Sequence, residues 1–290
     1  MTIRDFVRVL SASSLPRNEA RLLLAHVLDR DHAWLVAHDD YEFTVGEHEQ
    51  ITALATRRAA GEPVAYVLGV REFYGRTFRC SPAALIPRPE TELLIDQALG
   101  LISVCPEPVE ESDVKQRRVV GQAPLHVLDI GTGTGCIAIT IALERRNAIV
   151  TAIDISLDAL ALAHDNAQRL QANVTFIRSN WFAALPTDAQ FDVILSNPPY
   201  IAPGDTHLTQ GDLRFEPAIA LADAVDGLES YRQLVCGAMR HLISGGWLVV
   251  EHGFDQGVTV PEVFLSSGFV EVGTVADLAG HPRVTRARKP

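Results

Sequence analysis

Asn197-Pro198-Pro199-Tyr200 combines two carbonyl acceptors, a stiff backbone and a flat ring in four consecutive residues. The Asn197 side-chain carbonyl and the Pro198 main-chain carbonyl can each accept one N–H of a planar NH₂ group. Such a group, an amide or an aromatic amine, delocalises its lone pair and is a poor nucleophile. Two fixed acceptors orient it and favour electron density on nitrogen as positive charge develops. The prolines hold the backbone and add no competing N–H. Tyr200 offers a flat wall to a planar group. The chemistry that suits these residues is in-line displacement of a methyl group onto the nitrogen. No strong base is needed first, because the proton becomes acidic only once the nitrogen is cationic. Asn197, Pro198 and Tyr200 are therefore the candidate catalytic residues, with Pro199 completing the acceptor site. The plain alternative is a proline-rich turn capped by Asn197.

A second run supplies a place for the methyl donor. Val127-Leu128-Asp129-Ile130 leads into Gly131-Thr132-Gly133-Thr134-Gly135. Glycines between a strand and a helix permit a tight turn and close approach of a ligand. The spacing is one residue short of the dinucleotide fingerprint and lacks the Lys-Ser/Thr of a phosphate loop. A ligand without phosphates fits better, and S-adenosyl-L-methionine has none. Asp154 closes the next strand, about 20 residues on, where a carboxylate can bond ribose hydroxyls. Its other role would be an Asx turn before a helix, although Ser156 can already cap that helix. Asn180-Trp181 follows the third strand: Asn180 can reach an adenine amino group and Trp181 can lie against the ring. Asn197 is expected to border both cofactor and acceptor.

These residues need a sheet to hold them. The pattern predicts strands at 125–130, 149–154, 174–178, 191–196, 246–252, 269–275 and 283–288, with helices at 136–145, 156–170, 228–243 and 255–267. Apolar strands alternating with helices imply a mostly parallel sheet of α/β class covered on both faces. Residues 1–62 read as a small helical domain. One helix carries Phe6, Val7, Val9 and Leu10, a second opens at Pro16, and a third is boxed by Thr44 and Glu47 and ends near Gly61. Residues 63–124 hold two short strands around Gly75-Arg76, a helix begun by Pro89 with Glu90 and Glu92 in its first turn, and a linker over 106–124. The methyltransferase-like sheet fills 125–290.

Composition narrows the partners. The 290 residues carry a net charge of −11, which opposes general affinity for nucleic-acid phosphates. The four cysteines, Cys80, Cys105, Cys136 and Cys236, form no C-x-x-C pair, and the histidines show no metal-ligand spacing. This reads as reduced thiols in a cytoplasmic protein without a metal. His207, His241 and His252 read as surface or packing residues. No signal peptide and no membrane span is expected.

Together the glycine loop, Asp154, Asn180-Trp181 and the Asn-Pro-Pro-Tyr motif are similar to class I methyltransferases. Three more stretches, Gly61-Glu62-Pro63-Val64-Ala65-Tyr66, Leu85-Ile86-Pro87-Arg88-Pro89-Glu90-Thr91-Glu92 and Gln210-Gly211-Asp212-Leu213-Arg214-Phe215-Glu216-Pro217, resemble the bacterial release-factor glutamine methyltransferases. The resemblance implies a seven-stranded Rossmann-like sheet and S-adenosylmethionine as donor. The implied substrate is the glutamine amide in the Gly-Gly-Gln motif of peptide chain release factors, held with help from the helical domain of a monomer. Ribosomal-protein glutamine methyltransferases share the Asn-Pro-Pro-Tyr motif but differ over the stretch matching 85–92. Family members usually carry Asp at the position of Asn180. The motif alone does not separate glutamine from the exocyclic amine of adenine. An adenine-N6 methyltransferase would need a basic approach for a flipped base. A non-catalytic binding module would not need an intact motif of either kind.

Overall fold

A computed structural model describes residues 1–12, 15–103, 124–223 and 225–290. The expected linker and Cys105 lie outside the described residues, apart from Pro124, and the His207 side chain is likewise undescribed.

The chain begins with helices α1 (Ile3–Ala12), α2 (Arg17–Leu28), α3 (His32–Ala37), α4 (Val45–Ala59) and α5 (Val64–Leu68). Ile3, Phe6, Leu23, Leu24, Leu35, Ile51 and Val67 form their shared core. The capping box on α4 is present: the Glu47 N–H donates to Thr44 Oγ1 at 3.3 Å and the Thr44 N–H to Glu47 Oε2 at 2.7 Å. Helix α3 is an addition to the three expected. It spans six residues, too few to show a period, and is capped by Asp31, which accepts the Trp34 N–H at 2.7 Å.

Strands β1 (Val70–Phe73) and β2 (Arg76–Arg79) form the expected hairpin, but the turn is Tyr74-Gly75 and Arg76 pairs with Phe73. Both turn residues have positive φ, 51° and 70°. That is what a two-residue turn demands of its central pair, so glycine takes the second place and not the first. Helix α6 (Thr91–Ser103) starts two residues after Pro89. The Thr91 and Glu92 N–H groups bond back three residues, to Arg88 and Pro89, so Pro89 and Glu90 form a tight lead-in turn.

The remaining elements are β3 (Leu125–Ile130), α7 (Cys136–Glu144), β4 (Ala148–Asp154), α8 (Leu157–Leu170), β5 (Val174–Arg178), β6 (Phe191–Ser196), α9 (Ala218–Leu221), α10 (Glu229–His241), β7 (Leu242–Glu251), α11 (Thr259–Ser266), β8 (Val270–Ala276) and β9 (Pro282–Arg288). They build a seven-stranded sheet in the order β5-β4-β3-β6-β7-β9-β8, with β9 antiparallel to both neighbours and the other pairings parallel. Alternate residues feed opposite cores. Val127, Val193, Leu195 and Val249 face α6 and α7, while Leu128, Ile194, Leu248 and Val250 face Tyr231 and Phe264 of α10 and α11. The two strands flanking β3 return from opposite sides. That switch leaves a crevice at the carboxyl ends of the strands, where open α/β sheets bind ligands.

Candidate active site

The crevice is a cavity of 230 Å³. Gly131, Thr132, Gly133 and Thr134 after β3, Asp154 after β4, Asn180 and Trp181 after β5, and Asn197, Pro198 and Pro199 after β6 all line it. Four successive strand ends thus deliver residues that are up to 68 positions apart in sequence to one space. Gly135 and Tyr200, both expected at the site, are not among the lining residues.

Gly135 instead lies where α7 crosses α8. It has φ of 82°, and a Cβ there would sit 2.8 Å from Ile139 Cδ1 and 3.1 Å from Ala163 Cβ. Its absence of a side chain serves helix packing. Gly131 differs: at φ 73° a Cβ would meet nothing within 4 Å, so the space above its backbone is open to a ligand. Tyr200 is half-buried against the core under α10. Burial, with Glu251 nearby, pushes its hydroxyl to about 12. Its carbonyl accepts Gln256 Nε2 at 3.3 Å, which pins the end of the motif.

Asp154 does two jobs within the chain. Its Oδ2 accepts the Gly133 N–H at 2.9 Å and its Oδ1 accepts the Ser156 N–H at 2.9 Å. The Asx turn is real, and Ser156 also caps α8 through the Ala159 N–H at 3.2 Å. Each carboxylate oxygen keeps a further lone pair for a ligand hydroxyl. Beneath the loop, Asp129 is fully buried and accepts the Thr132 hydroxyl at 2.7 Å. Burial pushes its carboxyl up to about 7.

Arg88 is the one Lys or Arg among the described lining residues, and it is committed elsewhere. It pairs with Glu216, whose side chain is wholly buried and also accepts the Ile86 N–H at 2.9 Å. Burial raises the Glu216 pKa against the pull of Arg88. A pyrophosphate would therefore find no free cation here. A carboxylate for ribose hydroxyls, the apolar Ile155 and Trp181, and an open glycine backbone suit S-adenosylmethionine.

The three stretches that carry the resemblance contact one another, and Leu85, Ile86, Pro87, Arg88, Thr91 and Pro217 among them line the cavity. Arg88 and Ile86 hold Glu216, Arg58 pairs with Glu19 at 2.6 Å and Asp212 at 3.3 Å, and the Tyr66 hydroxyl donates to the Ala84 carbonyl at 2.8 Å. Gly61 lies so close to Arg214 that a Cβ would overlap Nη2 at 1.8 Å. The helical region is thereby fastened to the 210–217 segment, whose Pro217 lines the cavity.

Residues missed in the sequence include Thr91 and Glu251. Asn197 Nδ2 donates to Thr91 Oγ1 at 3.2 Å, and Glu251 ends β7 beside Asn197 with 1% of its surface exposed. Burial lifts the Glu251 carboxyl to about 7. A signal was present: Glu251 closes the apolar run Trp247-Leu248-Val249-Val250 as Asp154 closes its own strand. His241 and His252 are packing residues, both buried, with His241 stacked on Phe182 at 5.3 Å. Among the described residues Cys80 and Cys136 are buried, Cys236 is exposed, and no group of side chains could hold a metal. No described helix is long and apolar enough to cross a membrane.

Residues 2–69 match the family model for the PrmC N-terminal domain and residues 117–221 that for the methyltransferase small domain. Among solved structures, the T. thermophilus 16S rRNA N2 G1207 methyltransferase in complex with AdoMet and guanosine superposes with a TM-score of 0.52 at 18% identity, covering 76% of this chain and 50% of that one. A methyltransferase from Pyrococcus furiosus gives 0.51 at 19% identity, covering 83% and 98%. These likenesses show a Rossmann-like methyltransferase fold. Curated relatives named release factor glutamine methyltransferase are 47% identical in Neisseria gonorrhoeae, over 95% of this chain and 94% of that protein, and 45% identical in Bordetella pertussis, over 96% of each. The Escherichia coli relative of the same name is 41% identical over 99% of this chain and 97% of its own. With that identity along nearly its whole length, the chain belongs to the release factor glutamine methyltransferase family, whose members are S-adenosylmethionine-dependent enzymes.

Proposed function

We propose that the protein methylates the side-chain amide nitrogen of the glutamine in the Gly-Gly-Gln motif of peptide chain release factors. The observation that carries this reading is the placement of Asn197, Pro198 and Pro199 on the same cavity wall system as the glycine loop and Asp154. A target amide and a methyl donor can then share one enclosed space. S-adenosylmethionine supplies, when bound, a methyl group on a sulfonium centre. Gly131, Thr132, Gly133 and Thr134 leave room for its amino-acid end, Asp154 accepts its ribose hydroxyls, and Asn180 and Trp181 border its adenine.

The chain's own part is orientation. Asn197 Oδ1 and the Pro198 carbonyl accept the two N–H groups of the glutamine amide and fix its nitrogen lone pair toward the donor. Because both acceptors are preset by β6 and the prolines, they need little reorganisation as charge develops on nitrogen. Pro199 closes the wall. The 210–217 segment, held through Arg58 and Gly61 to the helical region, sets how the release factor approaches. The enzyme acts as a cytoplasmic monomer without direct nucleic-acid contact; the net charge of −11 supports the last point. Mass spectrometry of a release factor incubated with the protein and S-adenosylmethionine tests the reading. One added methyl on the Gly-Gly-Gln glutamine supports it. Methyl transfer to adenine in nucleic acid, with none to the release factor, refutes it.

A further inference from the structure

An asparagine can act as acceptor only if the right end of its amide faces the substrate. The Asn197 amide carries a carbonyl and an NH₂ of nearly equal shape, and a half turn exchanges them. With NH₂ toward the cavity it would confront the substrate's own N–H groups. Something must bias the rotamer.

Its neighbour Thr91 does not suffice alone. Thr91 is 2% exposed at the start of α6, and its Oγ1 lies 3.2 Å from Asn197 Nδ2. A hydroxyl both donates and accepts, so it would satisfy either end of the amide. The bias has to come from a neighbouring group that only accepts. β6 and β7 run parallel with Ser196 opposite Val250, so the next residues out, Asn197 and Glu251, are neighbours. Glu251 is 1% exposed, lies close enough to Thr91 and Asn197 for their side chains to hold its pKa down against burial, and has Oε2 left without a partner among the described residues. An ionised carboxylate only accepts.

We propose that Glu251 and Thr91 are positioning residues for Asn197: the carboxylate accepts the Thr91 hydroxyl, the Thr91 oxygen then accepts an N–H of the Asn197 amide, and this polarised chain turns Asn197 Oδ1 toward the substrate. The inference rests on the acceptor role proposed above for Asn197. Reversing the first link reverses the rest. A neutral Glu251 donates to Thr91, whose hydroxyl is then free to donate to Asn197 Oδ1, and the amide presents the wrong end. Burial brings Glu251 to about 7, within reach of ordinary assay conditions. The groups around it are Arg283 on β9, Glu90 in the turn before α6, Tyr200 after β6, Tyr231 on α10, Cys136 on α7 and its neighbour His252. Tyr200 and Cys136 are pushed to about 12 and Tyr231 is also raised, all by burial, while burial lowers His252. The tyrosines and Cys136 therefore stay protonated as Glu251 titrates.

The test measures kcat, KM for the release factor and calorimetric S-adenosylmethionine affinity for Asn197→Ala, Thr91→Val, Thr91→Ser and Glu251→Gln, from about pH 6 to about pH 9. Thr91→Val and Glu251→Gln should lower kcat about 10- to 100-fold. Cofactor affinity and KM should stay within about threefold of wild type. Thr91→Ser, which keeps the hydroxyl, should recover most of the loss. Wild-type kcat should rise as Glu251 ionises, and Glu251→Gln should lose that slope. Thr91→Val at wild-type kcat, Thr91→Ser as slow as Thr91→Val, or an unchanged pH profile in Glu251→Gln would overturn the proposal. If Glu251→Gln does not fold, the Thr91 pair decides. Asn197→Ala at wild-type rate overturns the acceptor reading itself. An inactive Asn197→Ala beside unimpaired Thr91→Val and Glu251→Gln overturns the positioning chain alone.

Discussion

Replacing each glycine of the 131–135 loop with alanine should separate folding from cofactor binding, because the three positions fail for different reasons. All have positive φ, 73° at Gly131, 55° at Gly133 and 82° at Gly135. An alanine in that region costs about 1–2 kcal/mol. At Gly131 the added methyl meets nothing within 4 Å, and at Gly133 it meets Ala84 Cβ at an ordinary 3.7 Å, so backbone strain is the whole folding cost there. At Gly135 the methyl is 3.1 Å from Ala163 Cβ and 3.3 Å from its Cα. The Ile139 tip can swing away, but Ala163 belongs to α8 and can yield only if two helices part. Overpacking of that kind adds about 1–3 kcal/mol. Gly135→Ala should therefore lose about 2–5 kcal/mol, against about 1–2 for each of the others. Urea denaturation reads the stability and isothermal calorimetry the S-adenosylmethionine affinity. Gly131→Ala should fold and bind cofactor poorly, since its methyl enters the open space. Gly135→Ala should be markedly less stable. Equal stability losses at Gly131 and Gly135, or an unimpaired cofactor affinity in Gly131→Ala, would refute the division of roles.

Three other perturbations read different parts of the structure. Asp154→Ala should weaken S-adenosylmethionine binding and loosen the glycine loop, because it removes both the proposed ribose acceptor and the Gly133 N–H partner at 2.9 Å; unchanged calorimetric affinity would exclude the ribose role. Arg88→Ala leaves buried Glu216 unpaired and should cost about 3–5 kcal/mol in denaturation, with Glu216→Gln in the same chain restoring much of it. Glu251 titrates at about 7 in the folded chain against 4.5 ordinarily. Its folded pKa is raised, so its contribution to stability is full below about 4.5 and is lost as pH climbs through about 7, a loss of about 3 kcal/mol. Denaturation curves should show Glu251→Gln gaining on wild type between pH 5 and pH 8; parallel pH dependences would rule the shift out.

Much of the sheet was legible because strand and helix leave different periods. The runs at 125–130, 174–178 and 191–196 match β3, β5 and β6 residue for residue. Boundaries shifted where hydrogen bonding, not hydrophobicity, decides them. β7 starts at Leu242, four residues before the expected apolar run, because its backbone already pairs with Phe191 there. The motif residues were legible by type and by their place at strand ends. Their division of labour was not. Gly135 looked like Gly131, and only the approach of Ala163 distinguishes them. Tyr200 looked like a wall for the substrate, yet its ring packs under α10. Glu251 was marked only by its place at the end of an apolar run; its significance depends on β6 and β7 being neighbours, with Ser196 opposite Val250 54 positions away, which no local pattern reveals.

The claim that Asn197 receives the glutamine amide is tested most directly by one comparison. Wild-type protein and Asn197→Ala are each incubated with a release factor and S-adenosylmethionine, and the Gly-Gly-Gln peptide is weighed by mass spectrometry, with cofactor affinity measured on the same samples. The account predicts one added methyl on the glutamine with wild type, almost none with Asn197→Ala, and cofactor binding retained by both. Near-normal methylation by Asn197→Ala, or a methyl found elsewhere with wild type, would contradict it.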